Sequence, residues 1–273
     1  MRRLRTSRGP PVTAVTLMTD HPAWCPSPSA ADTWVRAVHT LDGPVGVVAR
    51  AGHRPDAGAL RVDIVDPAAI GGDPVLTGPL RVAGPVVRVR TPDLWESVST
   101  AAVRQVIKAT QARKLHRALC QAHGTPVGTD AGTAWAFPRP EVVLGLTDAD
   151  FAGLRMTFFR TALRAAAEAV TKRGEEWSAL PADELVPALC TIPRIGPWSA
   201  GAAVADHTNR FDLYPYGDLA VRTWAARLAP SIDWPADEKA FAARWASMTG
   251  DHLSDLTLLT LAWGVRHATG GAV

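Results

Sequence analysis

The chain has 273 residues, 47% of them hydrophobic and 20% charged, with a formal net charge of +3. That length suits one large domain or two modest ones with a sizeable core, and the composition is neither that of a disordered tail nor strongly basic. No run reaches the roughly 18–20 apolar residues that span a bilayer, which excludes a membrane partner at this stage. Three well-separated cysteines, Cys25, Cys120 and Cys190, form no CxxC pair, so a zinc or iron–sulfur site is not expected.

The expected setting is the cytoplasm, with reduced thiols. The basic start Arg2-Arg3-Leu4-Arg5 lacks the apolar stretch of a secretion signal and reads as a solvated tail. The 29 basic residues are 25 Arg and four Lys, a slight lean toward nucleic acid.

In chain order, residues 13–90 read as a small α+β domain. Val15-Thr16-Leu17-Met18 is strand-like. Residues 32–41 read as a short amphipathic helix with Trp34, Val35, Val38 and Leu41 on one face. Residues 45–49, 60–65 and 86–90 are apolar or alternating runs between Gly and Pro turns, and read as strands. No chemistry is expected here, and His39 and His53 read as solvated. The composition shifts near Thr91-Pro92, giving domains at 1–90 and 91–273.

From Leu94 onward the pattern is nearly all helical. Residues 95–123 carry helical spacing with a break around 104–109. Residues 124–140 read as a loop, 140–144 and 148–153 as short helices, and 154–171 as a longer one. Arg155 and Arg160 read as solvated charges. A helix starting near Pro181 leads to Ile192-Pro193-Arg194-Ile195-Gly196-Pro197-Trp198-Ser199-Ala200. The turn is punctuated by Pro and Gly, and Pro197 suits the first turn of the next helix. The pattern predicts helix–hairpin–helix, with N–H groups at a helix start able to meet a DNA phosphate. Twenty residues after Trp198, Tyr214-Pro215-Tyr216-Gly217 delivers Asp218 to the head of a helix at 219–228. Further helices follow at 237–248 and 255–267, the last capped by Ser254, before a tail at 270–273.

This hairpin with an Asp twenty residues on resembles the helix–hairpin–helix (HhH-GPD) DNA glycosylase superfamily, most nearly its bacterial 3-methyladenine DNA glycosylase II type. Strand-cutting members carry a Lys where Trp198 stands, its amine forming a Schiff base with the sugar. Trp198 has no amine, so the resemblance implies a monofunctional enzyme that uses water and has no lyase activity. The fold implied is mainly α: a small N-terminal α+β domain and an all-helical glycosylase region. Asp218 becomes the catalytic residue, its carboxylate stabilising oxocarbenium character at the sugar and orienting water. A bland role as helix cap is compatible with this. Trp198 and Trp263 become the base pocket, since an extruded base needs aromatic faces and a cationic purine gains cation–π attraction. A core role competes for both.

Pro193, Arg194, Ile195 and Gly196 are expected to bind phosphate through their backbone. The resemblance also implies a monovalent cation on hairpin carbonyls, no side-chain metal site and no organic cofactor. Arg104-Gln105-Val106-Ile107 falls where members place their DNA-inserting wedge, which puts Gln105 in that role; a surface Gln is the plainer reading. Two departures stand out. Arg194 replaces a Gly and costs about 1 kcal/mol if its φ is positive. Ala202 replaces a pocket Tyr. The expected partner is double-stranded DNA, the expected state a monomer near the nucleoid, and the expected reaction base excision of a damaged base, an alkylated purine first. Another lesion class, or a DNA-binding protein without catalysis, are the alternatives.

Overall fold

The computed structural model describes residues 15–268; the terminal tails read from the sequence lie outside that range. The first part supplies β1 (Thr16–Leu17), β2 (Cys25–Pro26), β3 (Thr33–Thr40), β4 (Gly43–Arg50), β5 (Val62–Val65), α1 (Pro74–Ala83) and β6 (Val86–Val89). β1 runs parallel to β6, which pairs antiparallel with β5; β2, β3 and β4 form a separate antiparallel sheet.

Residues 32–41 are thus a strand, where a helix was expected. The reason is packing on both faces. Val38 joins Leu17, Trp24 and Val89 on one side, while Val35 and Ala37 meet Ala131, Ala134 and Ala136 on the other. A strand buried on both faces loses the alternation that would mark it. His39 is buried as well, not solvated: its Nε2 lies 2.8 Å from the Phe137 carbonyl. His53 is exposed.

The second part begins with α2 (Leu94–Val103) and α3 (Ala109–His123), separated by the break that the sequence predicts. Residues 124–140 hold a hairpin, β7 (Thr125–Thr129) and β8 (Gly132–Ala136), in place of the expected loop, so the region is not all-helical. This hairpin lies on the β3–β4 sheet. Gly46 makes the approach possible, since a Cβ there would come 2.6 Å from the Thr129 methyl. Helices α4 (Pro140–Gly145), α5 (Asp148–Gly153), α6 (Arg160–Ser178), α7 (Ala182–Leu189), α8 (Pro197–Thr208), α9 (Leu219–Leu228), α10 (Glu238–Thr249) and α11 (Leu253–Ala268) follow. The expected helix at 154–171 starts late, because Arg155 at φ 57° turns the chain before Arg160. Arg160 pairs with Asp148.

α2 is the axis of the helical part: all ten of its residues are buried. It packs against α6 and α8. One hydrophobic core runs through these helices and continues into Met18, Leu76, Leu80 and Val86 of the first part. Phe241 and Trp245 stack in α10 as their i, i+4 spacing implies. Ser254 does not cap α11, which starts at Leu253; its Oγ instead accepts the Phe211 N–H at 3.0 Å. Among the described residues no helix is long and apolar enough to cross a membrane.

Candidate active site

The hairpin joins α7 to α8. Ile192 and Ile195 are buried and anchor it, while Pro193 and Arg194 are exposed. The Ile195 N–H donates to the Ile192 carbonyl at 3.0 Å, closing a turn that forces Arg194 to φ 71°. An L side chain is disfavoured there by about 1–2 kcal/mol, so Arg194 carries strain that Gly would not. Gly196 is extended and caps α8 with no side-chain hydrogen bond. A Cβ at Gly196 would meet nothing within 4 Å, so the turn is open on its outer side. Pro197 has no N–H, and those of Trp198 and Ser199 have no acceptor within the helix, as at any helix start.

Gln105 does not project outward. Its Nε2 donates to the Arg194 carbonyl at 3.0 Å and to Ser199 Oγ at 2.6 Å. The amide therefore braces the strained turn from the α2–α3 break. Its neighbour Val106 sits at φ 52° and is 84% exposed. A β-branched residue with positive φ, aimed at water, is unfavourable on both counts.

A glycine on α8 brings the loop that leads to Asp218 against this helix. At Gly201 a Cβ would stand 2.4 Å from the Leu213 carbonyl, so only Gly lets the 210–217 loop lie against the helix. The Asp218 N–H donates to Pro215 at 2.8 Å, and the half-buried carboxylate accepts the Ala220 N–H at 3.3 Å. Asp218 is thus the cap of α9. Trp198 is half-buried on the first turn of α8, and the small Ala202 one turn on is fully buried.

A buried polar group adjoins these residues and was not read from the sequence. Asp206, on α8, takes Arg88 Nη2 on one oxygen and Arg104 Nη1 on the other, the latter at 2.9 Å. Asp20 lies 3.9 Å from Arg88. Burial raises the Asp206 pKa, opposed by Arg104 and Arg88. The Arg104 guanidinium is 5.9 Å from the Trp198 ring centroid. Burial works against its charge, and Asp206, then Tyr214, Asp20 and Asp218, outweigh that and raise its pKa. Burial also pushes the Tyr214 hydroxyl well above its usual range. A lone Asp in the otherwise small and apolar run Ala202-Ala203-Val204-Ala205 was the available signal.

Trp263 is placed differently. It stacks on His267, ring centroids 3.7 Å apart, and lines a small cavity with Leu80, Ala83 and Val86. A larger cavity of about 330 Å³ lies between β1, β3 and α11, and neither Trp198 nor Asp218 lines it. Among the described residues no cluster of His, Cys, Asp or Glu could hold a metal ion. At the hairpin, the Leu189, Ile192 and Arg194 carbonyls accept protein donors. The Cys190, Pro193 and Ile195 carbonyls remain as oxygen donors for a monovalent cation, an all-oxygen set that fits a hard ion.

No protein-family model and no curated protein matches the sequence. Solved structures do match. A 3-methyladenine DNA glycosylase from Archaeoglobus fulgidus superposes with a TM-score of 0.69 over 92% of both chains, at 16% identity. An 8-oxoguanine glycosylase/lyase from Clostridium acetobutylicum, bound to duplex DNA, gives 0.66 over 92% of this chain and 90% of its own, at 12% identity. A DNA-3-methyladenine glycosidase from Bacillus halodurans gives 0.51 over 72% and 88%, at 18% identity. The chain has the fold of the helix–hairpin–helix DNA glycosylase superfamily.

Proposed function

We propose that the protein is a monofunctional DNA glycosylase that hydrolyses the N-glycosidic bond of a damaged base, leaving an abasic site. The observation that carries this reading is the half-buried Asp218 carboxylate at the start of α9, reached by a loop whose Leu213 and Pro215 lie against the hairpin helix that bears Trp198 on its first turn. The hairpin grips phosphate through the open start of α8, so the affinity is spread over the backbone of duplex DNA rather than over sequence. Pro193, Arg194, Ile195 and Gly196 form that contact. The flipped base stacks on Trp198, and Asp218 stabilises the positive sugar and orients the attacking water. Val106 takes the wedge role, filling the space the base vacates, while Gln105 holds the turn behind it. The base is placed on Trp198 rather than on Trp263, whose ring is stacked on His267.

The lesion is an alkylated purine in the first instance, supported by the likeness to the two 3-methyladenine enzymes. The likeness to the 8-oxoguanine enzyme favours a different damaged purine as the second reading. Trp198 has no amine for a Schiff base in either case. Incubation with methylated, deaminated and oxidised duplexes, followed by mass analysis of released bases, tests the assignment. Borohydride included during turnover is expected to trap no protein–DNA adduct. Binding without release of any base would leave a DNA-binding protein that lacks catalysis.

A further inference from the structure

The contacts described so far leave one strongly charged element without a task. We propose that the exposed face of α3 is a second grip on the DNA backbone, placed across the Val106 wedge from the hairpin. The inference rests on the glycosylase reading and adds where on the molecule the duplex lies.

Residues 104–123 contain no Asp or Glu, while Lys108, Arg113, Lys114 and Arg117 all fall within them. α3 is amphipathic. Leu115, Leu119 and Cys120 face the core, and Thr110, Lys114, Arg117 and Gln121 form a row on the opposite side, mostly exposed, at i, i+4, i+7 and i+11. Lys108 is exposed at the head of the helix. Arg113 stands apart from the row, its Nη2 donating to the Thr19 carbonyl at 2.7 Å. Elsewhere on the surface, Arg50, Arg173 and Arg210 pair with Asp130, Glu176 and Asp212. Lys108, Lys114 and Arg117 have no ion pair and no side-chain hydrogen bond among the described residues. At 1.5 Å per residue these three cations spread over about 14 Å, enough to meet more than one phosphate.

The position of this row identifies its partner. On one side of the exposed Val106, Gln105 holds the hairpin through the Arg194 carbonyl. On the other side Lys108 follows two residues later and α3 leads away. Two residues of chain span at most about 7 Å, less than the width of a duplex. A duplex entered by Val106 therefore lies within reach of the Lys108 ammonium, and Lys114 and Arg117 carry the same charge onward along the helix. An apolar wedge unstacks and bends DNA, and contacts on both of its flanks offset that cost. The row has no aromatic face for a base, and its cations suit phosphate oxygens, so the grip is indifferent to sequence.

The test is the slope of log affinity against log salt, measured for the full chain on a duplex carrying one non-hydrolysable abasic analogue. Replacing Lys108, Lys114 and Arg117 together by Gln is expected to lower the slope by about two to three, at about 0.9 for each lost contact. A control that replaces Lys172, Lys239 and Arg244 by Gln removes the same charge from exposed positions on α6 and α10, and is expected to keep the wild-type slope. Adding Arg194→Gly to the α3 variant is expected to lower the slope further by about one, as for separate contacts on one duplex. A wild-type slope in the folded α3 variant overturns the proposal. So does an equal fall in the control, which would mark a diffuse effect of net charge. If the triple variant does not fold, Lys114→Gln alone is expected to lower the slope by about one, and an unchanged slope overturns the proposal equally. Failure of the folded wild type to bind the duplex, or to release any damaged base, would overturn the glycosylase reading instead.

Discussion

Asp218 accepts the Ala220 N–H as the cap of α9, and an Asn there would accept it as well. The charge is what the two side chains do not share. Asp218→Asn is therefore expected to leave the melting temperature within a degree or so of wild type and DNA affinity intact or higher. Excision is expected to fall about 10²–10³-fold, the usual effect of removing one preorganised stabilising group. Excision at the wild-type rate would deny Asp218 its catalytic role, and an unfolded variant would assign it to capping alone. Trp198 completes this scale: it offers an aromatic face and supplies no nucleophile.

At the scale of elements, the α2–α3 break and the hairpin behave as one device, tied by the Gln105 amide. Both carry a left-handed non-glycine residue, Val106 and Arg194. Val106 is exposed, so Val106→Ala is expected to change stability by under about 0.5 kcal/mol. It is expected to slow excision from duplex DNA several-fold, and far less from single-stranded DNA, where no stack has to be opened. Equal slowing on both substrates would remove the wedge role. Arg194→Gly relieves the φ penalty and deletes a cation. Its unfolding free energy is expected to rise by about 1 kcal/mol. The slope of log affinity against log salt is expected to fall by about one contact. An unchanged slope would place Arg194 away from phosphate.

For the whole molecule, the notable feature is how much titratable chemistry is buried where the two parts of the chain meet. His21 and His116 are both buried and stay neutral in the fold; burial, helped by Arg36, pushes His116 down to about 3 and His21 well below its usual range. Such groups contribute stability that is complete above the unfolded value near 6.5 and is lost as pH falls. Burial pushes Glu96 up to about 7 against the pull of Arg36. A raised carboxyl works in the opposite sense: its contribution is present below about 4.5 and lost as pH rises through 7. His207 is lowered by burial in the same way, while Asp93, Asp206 and Asp255 are raised like Glu96. Substitution isolates the histidine share: keeping His116 neutral costs about 1.4 kcal/mol per pH unit below 6.5. Urea unfolding at pH 6.5 and 5 is expected to show that acidification destabilises the wild type more than His116→Phe, by roughly 1.5–2 kcal/mol. The same pH dependence in both proteins would show that His116 titrates alike in the folded and unfolded states.

The sequence by itself determined the local features. The hairpin, the spacing to Asp218, the break before Ala109 and the helices of the C-terminal half depend on turn chemistry and periodicity that neighbouring residues carry. The positive φ at Arg194 was also foreseeable, because a turn of that shape demands it of whichever residue stands there. What tertiary structure alone decided involves residues far apart in the chain. β3 reads as a helix until the β7–β8 hairpin and the first sheet are seen to bury both of its faces. Gln105 looks free until Arg194, 89 positions later, takes its amide. Arg104 and Asp206 are ordinary charges 102 positions apart, and only the packing of α2 on α8 joins them beside Trp198. Ion pairs and two-sided burial are set by what comes near in space, and no local pattern of residue types records that.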